Sequence, residues 1–237
     1  MKAVILAGGK GTRLKPYTTV FPKPLVPVGD MPILEIILRQ LAADGICDIT
    51  MAVGHLAELI QAFFKDGSKF GVNIDYSMED KPLGTAGPLS LIGNLDSDFL
   101  VMNGDVLSTI PYAALIKKHK SEKAICTIAV HKKDVNIDLG VLELDETSVV
   151  RGYIEKPTYN YTVSMGIYVF SPEVMRFIKK DEYLDFPDLV KLLIKKGEKV
   201  YAYQSKDYWL DIGRHDDYQQ AVDEFETNRH LFLPNKA

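Results

Sequence analysis

The chain has 237 residues, 46% hydrophobic and 25% charged, with a formal net charge of −4. That composition can bury a sizeable core without staples and excludes a fibre or a disordered segment. The negative balance argues against a general nucleic-acid binder, no apolar run approaches a membrane span, and two cysteines without a CxxC read as buried, reduced thiols, Cys47 and Cys126.

In chain order, the first element is a short apolar run over residues 3–7, too short for a helix and rich in branched side chains, which reads as a buried strand. Gly8, Gly9 and Gly11 follow at once, then Thr12, Arg13 and a proline-rich stretch carrying Lys23. Glycines directly after a strand let the backbone turn sharply and present N–H groups to a ligand. Lys2, Lys10, Arg13, Lys15 and Lys23 are basic, and no acidic residue precedes Asp30. A glycine loop in such a field suits phosphates. Two common phosphate motifs are absent: a dinucleotide fingerprint would need glycine where Leu14 stands, and no GxxxxGK followed by Ser or Thr occurs.

Asp30 is placed to cap a helix that starts near Pro32, carries Ile33, Ile36, Ile37 and Leu41 as its apolar stripe and ends at Gly45. A strand over 49–53, a helix over 55–65 closed by Gly67 and a strand over 72–78 complete an alternation that implies parallel strands with right-handed crossovers. Residues 80–84 form a loop, 85–91 a short helix, and 99–103 a buried strand running into Gly104 and Asp105. A helix over 111–120 and a strand over 124–130 come next. Residues 140–144 and 149–154 flank a turn and predict a hairpin. The remainder reads as a strand over 163–170, a helix opened by Ser171 and Pro172, a helix over 186–196 closed by Gly197, strands over 200–204 and 208–210, and a helix over 216–228 with a loose tail from Arg229. His55 and His215 sit near predicted helix starts, where capping accounts for them, and Trp209 reads as packing. The expected fold class is α/β: a Rossmann-like three-layer α/β/α arrangement with a mostly parallel, mixed central sheet.

From Gly8 to Gly29 the chain reads GGKGTRLKPYT and then PKPLVPVG. This ordered pair resembles the signature of the sugar-1-phosphate nucleotidyltransferases, the NDP-sugar pyrophosphorylases, and the chain is most similar to mannose-1-phosphate guanylyltransferase-like members. The resemblance implies the nucleotide-diphospho-sugar transferase fold as a single domain over 1–237, with a nucleotide-binding lobe over about 1–120 and a sugar-binding lobe over about 121–230. Members often append a C-terminal repeat domain, for which this sequence stops too early. The implied reaction is attack of a sugar-1-phosphate oxygen on the α-phosphorus of a nucleoside triphosphate, GTP favoured, with loss of pyrophosphate. Thymidylyl or uridylyl transfer to glucose 1-phosphate is the alternative. The nucleophile is already an anion, so the site needs cations rather than a base.

By the same resemblance, Arg13 and Lys23 are the catalytic cations. The guanidinium of Arg13 can grip phosphate oxygens two at a time, and Lys23 is fixed between Pro22 and Pro24. Leu6, Ala7, Gly8, Gly9, Gly11, Thr12 and Arg13, with Lys81, Pro82, Gly84 and Thr85, are the implied nucleotide-binding residues. The segment from Glu79 to Gly87 is the implied base-reading loop. Its PLGTAGPL looks most like the guanylyl type, and thymidylyl enzymes usually carry Gln where Lys81 stands. Asn103, Gly104, Gly140, Glu155, Lys156, Met165 and Gly166 are implied around the sugar phosphate. Asp105 and Asp211, each at the expected end of a strand, are the implied holders of Mg²⁺, which accepts a few carboxylates plus phosphates and water.

Asp96-Ser97-Asp98 spells the DxD of glycosyltransferases of related fold, but it precedes its strand and so lies at the entry end. A non-catalytic nucleotide-sensing module would lack the loop arginine or a metal aspartate, and this chain has both. The implied partners are the nucleoside triphosphate and the sugar 1-phosphate, with no nucleic acid, no membrane and a cytoplasmic setting. Assembly into a homo-oligomer stays open.

Overall fold

The opening apolar run forms β1 (Lys2–Leu6), with Ala3, Val4 and Ile5 fully enclosed. In this computed structural model, which describes residues 1–233, a small ribbon of β2 (Pro27–Val28) and β3 (Met31–Pro32) leads into α1 (Ile33–Ala43). There follow β4 (Asp48–Val53), α2 (Ala57–Phe64), β5 (Asn73–Met78), β6 (Phe99–Asn103), β7 (Val106–Ser108) and α3 (Tyr112–Glu122). The second half comprises β8 (Cys126–Asn136), the hairpin β9 (Val141–Leu144) and β10 (Val150–Ile154), β11 (Thr158–Phe170), α4 (Phe186–Lys195), β12 (Val200–Ser205), β13 (Trp209–Asp211) and α5 (His215–Phe232).

Seven strands form one sheet in the order β12-β8-β11-β6-β1-β4-β5. β11 runs antiparallel to both of its neighbours, and every other adjacent pair is parallel. The period-2 alternation of the strands divides the core into two layers. Ala3 and Ile5 of β1, with Leu100 and Met102 of β6, face α1, α2, α3 and α5. Val4, Phe99 and Val101 face the other way, onto Phe186, Leu189 and Leu193 of α4. The three-layer mixed sheet expected from the sequence is therefore present.

The structure departs from the sequence reading at several points. β8 and β11 run beyond the core as a polar ribbon that is held by its ladder rather than by burial, so hydrophobic patterning stops short of their true ends. β7 went unread because it is only a short partner for β13. Asp30 does not cap α1, whose N-cap is Pro32. It sits at the β2–β3 turn and pairs with Arg229 at 2.7 Å. Arg229 is accordingly not in a loose tail: α5 kinks at Asn228, where the predicted helix ends, and then resumes to Phe232, which is 1% exposed and packs against Tyr208 and Phe225. The tail beyond 233 lies outside the described residues. The segment predicted as a helix over 85–91 is a 3-10 turn over Gly87–Leu91, and the Thr85 and Ala86 N–H groups ahead of it donate to Asp185 Oδ1 and the Leu184 carbonyl. Ser171 and Pro172 likewise open a 3-10 turn. Cys126 is buried as expected, Cys47 only half-buried, and both are free.

Candidate nucleotide site

Beyond β1 the chain turns over the carboxyl ends of the parallel strands, where ligands sit in open sheets of this kind. Two of the loop glycines answer to crowding. A Cβ on Gly8 would lie 2.7 Å from Glu79 Oε1, and one on Gly11, already at φ +57°, would lie 2.9 Å from the Thr18 methyl. The Thr18 hydroxyl donates to the Gly11 carbonyl at 2.7 Å, closing the loop on itself. A 3-10 turn over Thr12–Leu14 buries Leu14 and leaves Arg13 exposed.

α5 backs this loop. His215 donates through Nε2 to the Lys15 carbonyl at 2.7 Å, and the Tyr17 ring packs on His215 and Tyr218, each with centroids 5.7 Å away. His215 is thus a tie to the loop rather than a cap. At the start of α5 the Arg214 backbone N–H donates to Asp217 Oδ2 at 2.8 Å. At Gly213 an added Cβ would fall 3.2 Å from Asp211 Oδ2 and 3.3 Å from Arg13 Nη1, so the Arg13 guanidinium and the Asp211 carboxylate flank the same spot.

Lys23 lies in a 3-10 turn between two buried prolines, only 9% exposed, and its ammonium is paired with Asp105 Oδ2. Asp105 stands at the bend between β6 and β7, Asp211 on β13. Pairing of β7 with β13 brings the two carboxylates together, and Ile212 N–H donates to the Asp105 carbonyl at 3.2 Å. Burial, and then the charge of Asp105, push the Asp211 carboxyl above the usual range, against the pull of Lys23 and Arg13. Asp105 Oδ1 is buried and without a hydrogen-bond partner. Two adjacent carboxylates, one with an orphaned oxygen, fit a hard divalent cation that takes its remaining ligands from phosphate and water. Among the described residues no group of three or more metal-ligating side chains occurs.

A cavity of about 830 Å³ runs from the glycine loop to the 79–87 segment. Leu6, Ala7, Gly8, Gly9, Gly11, Thr12, Arg13, Lys23, Lys81, Pro82, Gly84, Thr85, Asn103, Gly104 and Asp105 line it, so the structure gathers the nucleotide set expected from the sequence. It leaves the rest outside. Asp211 stands behind Arg13. Gly140 and Glu155 meet instead at Tyr153, on the β9–β10 hairpin, where the Tyr153 hydroxyl donates to Glu155 at 3.0 Å. Lys156 ends that hairpin, exposed, at φ +44°. Met165 is wholly buried, and its carbonyl accepts the Trp209 indole N–H at 2.9 Å. Gly166, at φ +71°, lies against Asn103, where a Cβ would come 2.6 Å from Nδ2.

Four lining residues were not anticipated in this place: Gly54, His55, Tyr183 and Asp185. His55 does not cap α2, whose N-cap is Leu56; its N–H donates to the Gly8 carbonyl at 3.3 Å. Glu79 is also at the wall, its carboxyl raised by burial while it accepts from the Leu83 N–H at 3.2 Å. Asp98 lies at the far end of β6, 3.8 Å from the buried His119, remote from this cavity in the fold.

A mixed sheet with a glycine loop and two cationic side chains over its strand ends is an α/β arrangement suited to phosphate. The nucleotidyl transferase family model matches residues 2–228, and the chain belongs to that family. It is 36% identical to a UTP–glucose-1-phosphate uridylyltransferase of Synechocystis, with 94% of this chain and 62% of that protein covered. It is 37% identical to a mannose-1-phosphate guanyltransferase of Yarrowia lipolytica, with 92% and 62% covered. The chain therefore spans about three fifths of the length of these relatives. Among solved structures it resembles HddC from Yersinia pseudotuberculosis complexed with GMP-PN, with a TM-score of 0.72, 26% identity, and 94% and 99% of the two chains covered.

Proposed function

We propose that this chain transfers a nucleoside monophosphate from a nucleoside triphosphate to a sugar 1-phosphate, releasing pyrophosphate, with GTP the favoured donor. One observation carries the reading: Arg13, Lys23 and Asp105, from three separate segments, converge on the glycine loop within one cavity. The nucleophile arrives ionised, so catalysis is positioning and charge neutralisation. The loop N–H groups cradle phosphate, and Arg13 takes up the charge of departing pyrophosphate. Lys23 is placed to serve the α-phosphate. Asp105 and Asp211 would hold Mg²⁺, which would supply neutralising charge to the transferring phosphate. The hairpin carrying Glu155 and Lys156 is the proposed sugar-phosphate side, standing apart from the nucleotide cavity. A cytoplasmic setting belongs to the same reading. Among the described residues, no helix is long and apolar enough to cross a membrane.

The guanylyl preference is supported by the 82–89 loop sequence and by several relatives named mannose-1-phosphate guanyltransferase. The Synechocystis relative supports uridylyl transfer to glucose 1-phosphate as the second reading. A pyrophosphate-release assay crossing GTP, UTP, dTTP, ATP and CTP with hexose and heptose 1-phosphates in Mg²⁺ tests both. Release with GTP and mannose 1-phosphate or a related sugar supports the first. Release only with UTP or dTTP and glucose 1-phosphate supports the second, and no release with any pair overturns both.

A further inference from the structure

One wall of the nucleotide cavity is built by a segment that no phosphate motif contains. Leu184 N–H donates to the Leu83 carbonyl at 2.9 Å, and the Leu184 carbonyl accepts from Ala86 N–H at 2.9 Å and Gly87 N–H at 3.0 Å. Asp185 Oδ1 accepts from the Thr85 N–H at 2.9 Å and from its hydroxyl at 3.1 Å, while Phe186 N–H donates to the Thr85 hydroxyl oxygen at 2.8 Å. So close an approach requires glycine: a Cβ on Gly84 would meet the Leu184 carbonyl at 2.6 Å, and one on Gly87 the Glu182 carbonyl at 2.7 Å.

Beside this zipper stands Tyr183. Its ring lines the cavity yet is 64% exposed, and its hydroxyl donates to Asp185 Oδ2 at 2.7 Å. An exposed tyrosine ordinarily samples several rotamers, but this one is held at its far end by a carboxylate that is itself held by Thr85. The surrounding charges say what it faces. Asp80, Lys81 and Asp185 line this end with no net positive charge, while Lys10, Arg13 and Lys23 line the loop end, so a polyphosphate is drawn to the loop rather than to the Tyr183 wall. What remains for the tyrosine is the flat, uncharged part of the donor.

We propose that Tyr183 is a stacking platform for the nucleobase, and that Asp185 is the positioning residue that fixes both this ring and the base-reading loop. The inference rests on the nucleotidyltransferase reading and names part of its donor site. Stacking favours the larger face of a purine, so the ring contributes to selection of GTP over pyrimidine nucleotides.

Calorimetry with Mg²⁺ and no sugar phosphate tests this, comparing GTP with inorganic tripolyphosphate, which has no base. Y183A weakens GTP binding by about 5- to 100-fold while tripolyphosphate binding changes less than about twofold, and Y183F and Y183W keep most of the GTP affinity. D185N lowers GTP affinity and leaves tripolyphosphate unchanged. Thermal melting of each variant shows that the fold is retained. Unchanged GTP binding in Y183A, or equal losses for GTP and tripolyphosphate, overturns the platform. So does a Y183A defect confined to the KM for sugar 1-phosphate. A wild-type chain that binds neither probe overturns the nucleotidyltransferase reading itself.

Discussion

Lys23→Met isolates the ion pair at the centre of the cavity. The side chains of Lys23 and Asp105 are 11% and 20% exposed, and the other Asp105 oxygen has no partner. Methionine keeps the apolar stem and removes the ammonium. Asp105 is then left beside Asp211 with no other cation within 4 Å among the described residues. Breaking a buried pair from one side costs about 3–5 kcal/mol, and the residual solvent at Asp105 places this case at about 2–3 kcal/mol. For a chain of this size that is a fall of about 4–12 °C in Tm. The assay is urea unfolding in EDTA, so that no divalent ion substitutes for the lysine, on K23M, D105N and the double variant. The double variant should recover most of the loss, giving a coupling of at least ~1.5 kcal/mol. A K23M variant as stable as wild type, or a double variant whose loss is the sum of the two singles, would refute the reasoning that Lys23 neutralises Asp105 in the nucleotide-free protein.

Gly84→Ala forces a Cβ to 2.6 Å from the Leu184 carbonyl at φ +80°, and should cost about 1–3 kcal/mol in urea unfolding with a parallel loss of GTP affinity in a titration. Phe232→Ala empties a fully buried site against Tyr208 and Phe225, and should lower stability by about 3–5 kcal/mol in the same unfolding measurement. His119 is 1% exposed, and burial holds its pKa below the ordinary 6.5 despite Asp98 nearby. The native state then binds fewer protons than the unfolded chain in mildly acid solution, so the stability due to the neutral ring is complete above 6.5 and is lost as pH falls through the lower, folded pKa. His119→Asn should flatten that decline in urea midpoints measured from neutral pH downward.

The glycine loop, Arg13 and Lys23 could be read from the sequence because their spacing is local and unusual. The parallel half of the sheet was equally legible, since β1, β4 and β6 are bounded apolar runs and α1 and α2 separate β1, β4 and β5. The adjacency of Asp105 and Asp211 was available only through family resemblance: the β7–β13 pairing that creates it is too short and too distant in sequence to leave a pattern. Tyr183 and Asp185 were invisible for the same reason. The bonds of Asp185 to the base-reading loop cross 100 residues, Tyr183 is tied to that loop only through Asp185, and nothing in EYLDFPD marks a partner. Asp30 failed in the opposite way. A capping signature was present locally, and Arg229, 199 residues on, took the carboxylate.

α5 and the strand before it stand behind the loop that opens the chain: His215 grips the Lys15 carbonyl, and Asp211 stands at Arg13. Synthesis therefore delivers the glycine loop some way ahead of its support, since the His215–Lys15 tie spans 200 residues. Until residue 215 has cleared the ribosome, a nascent chain has the loop without its backing. The loop and its backing thus become one unit only after the whole sheet between them has been made.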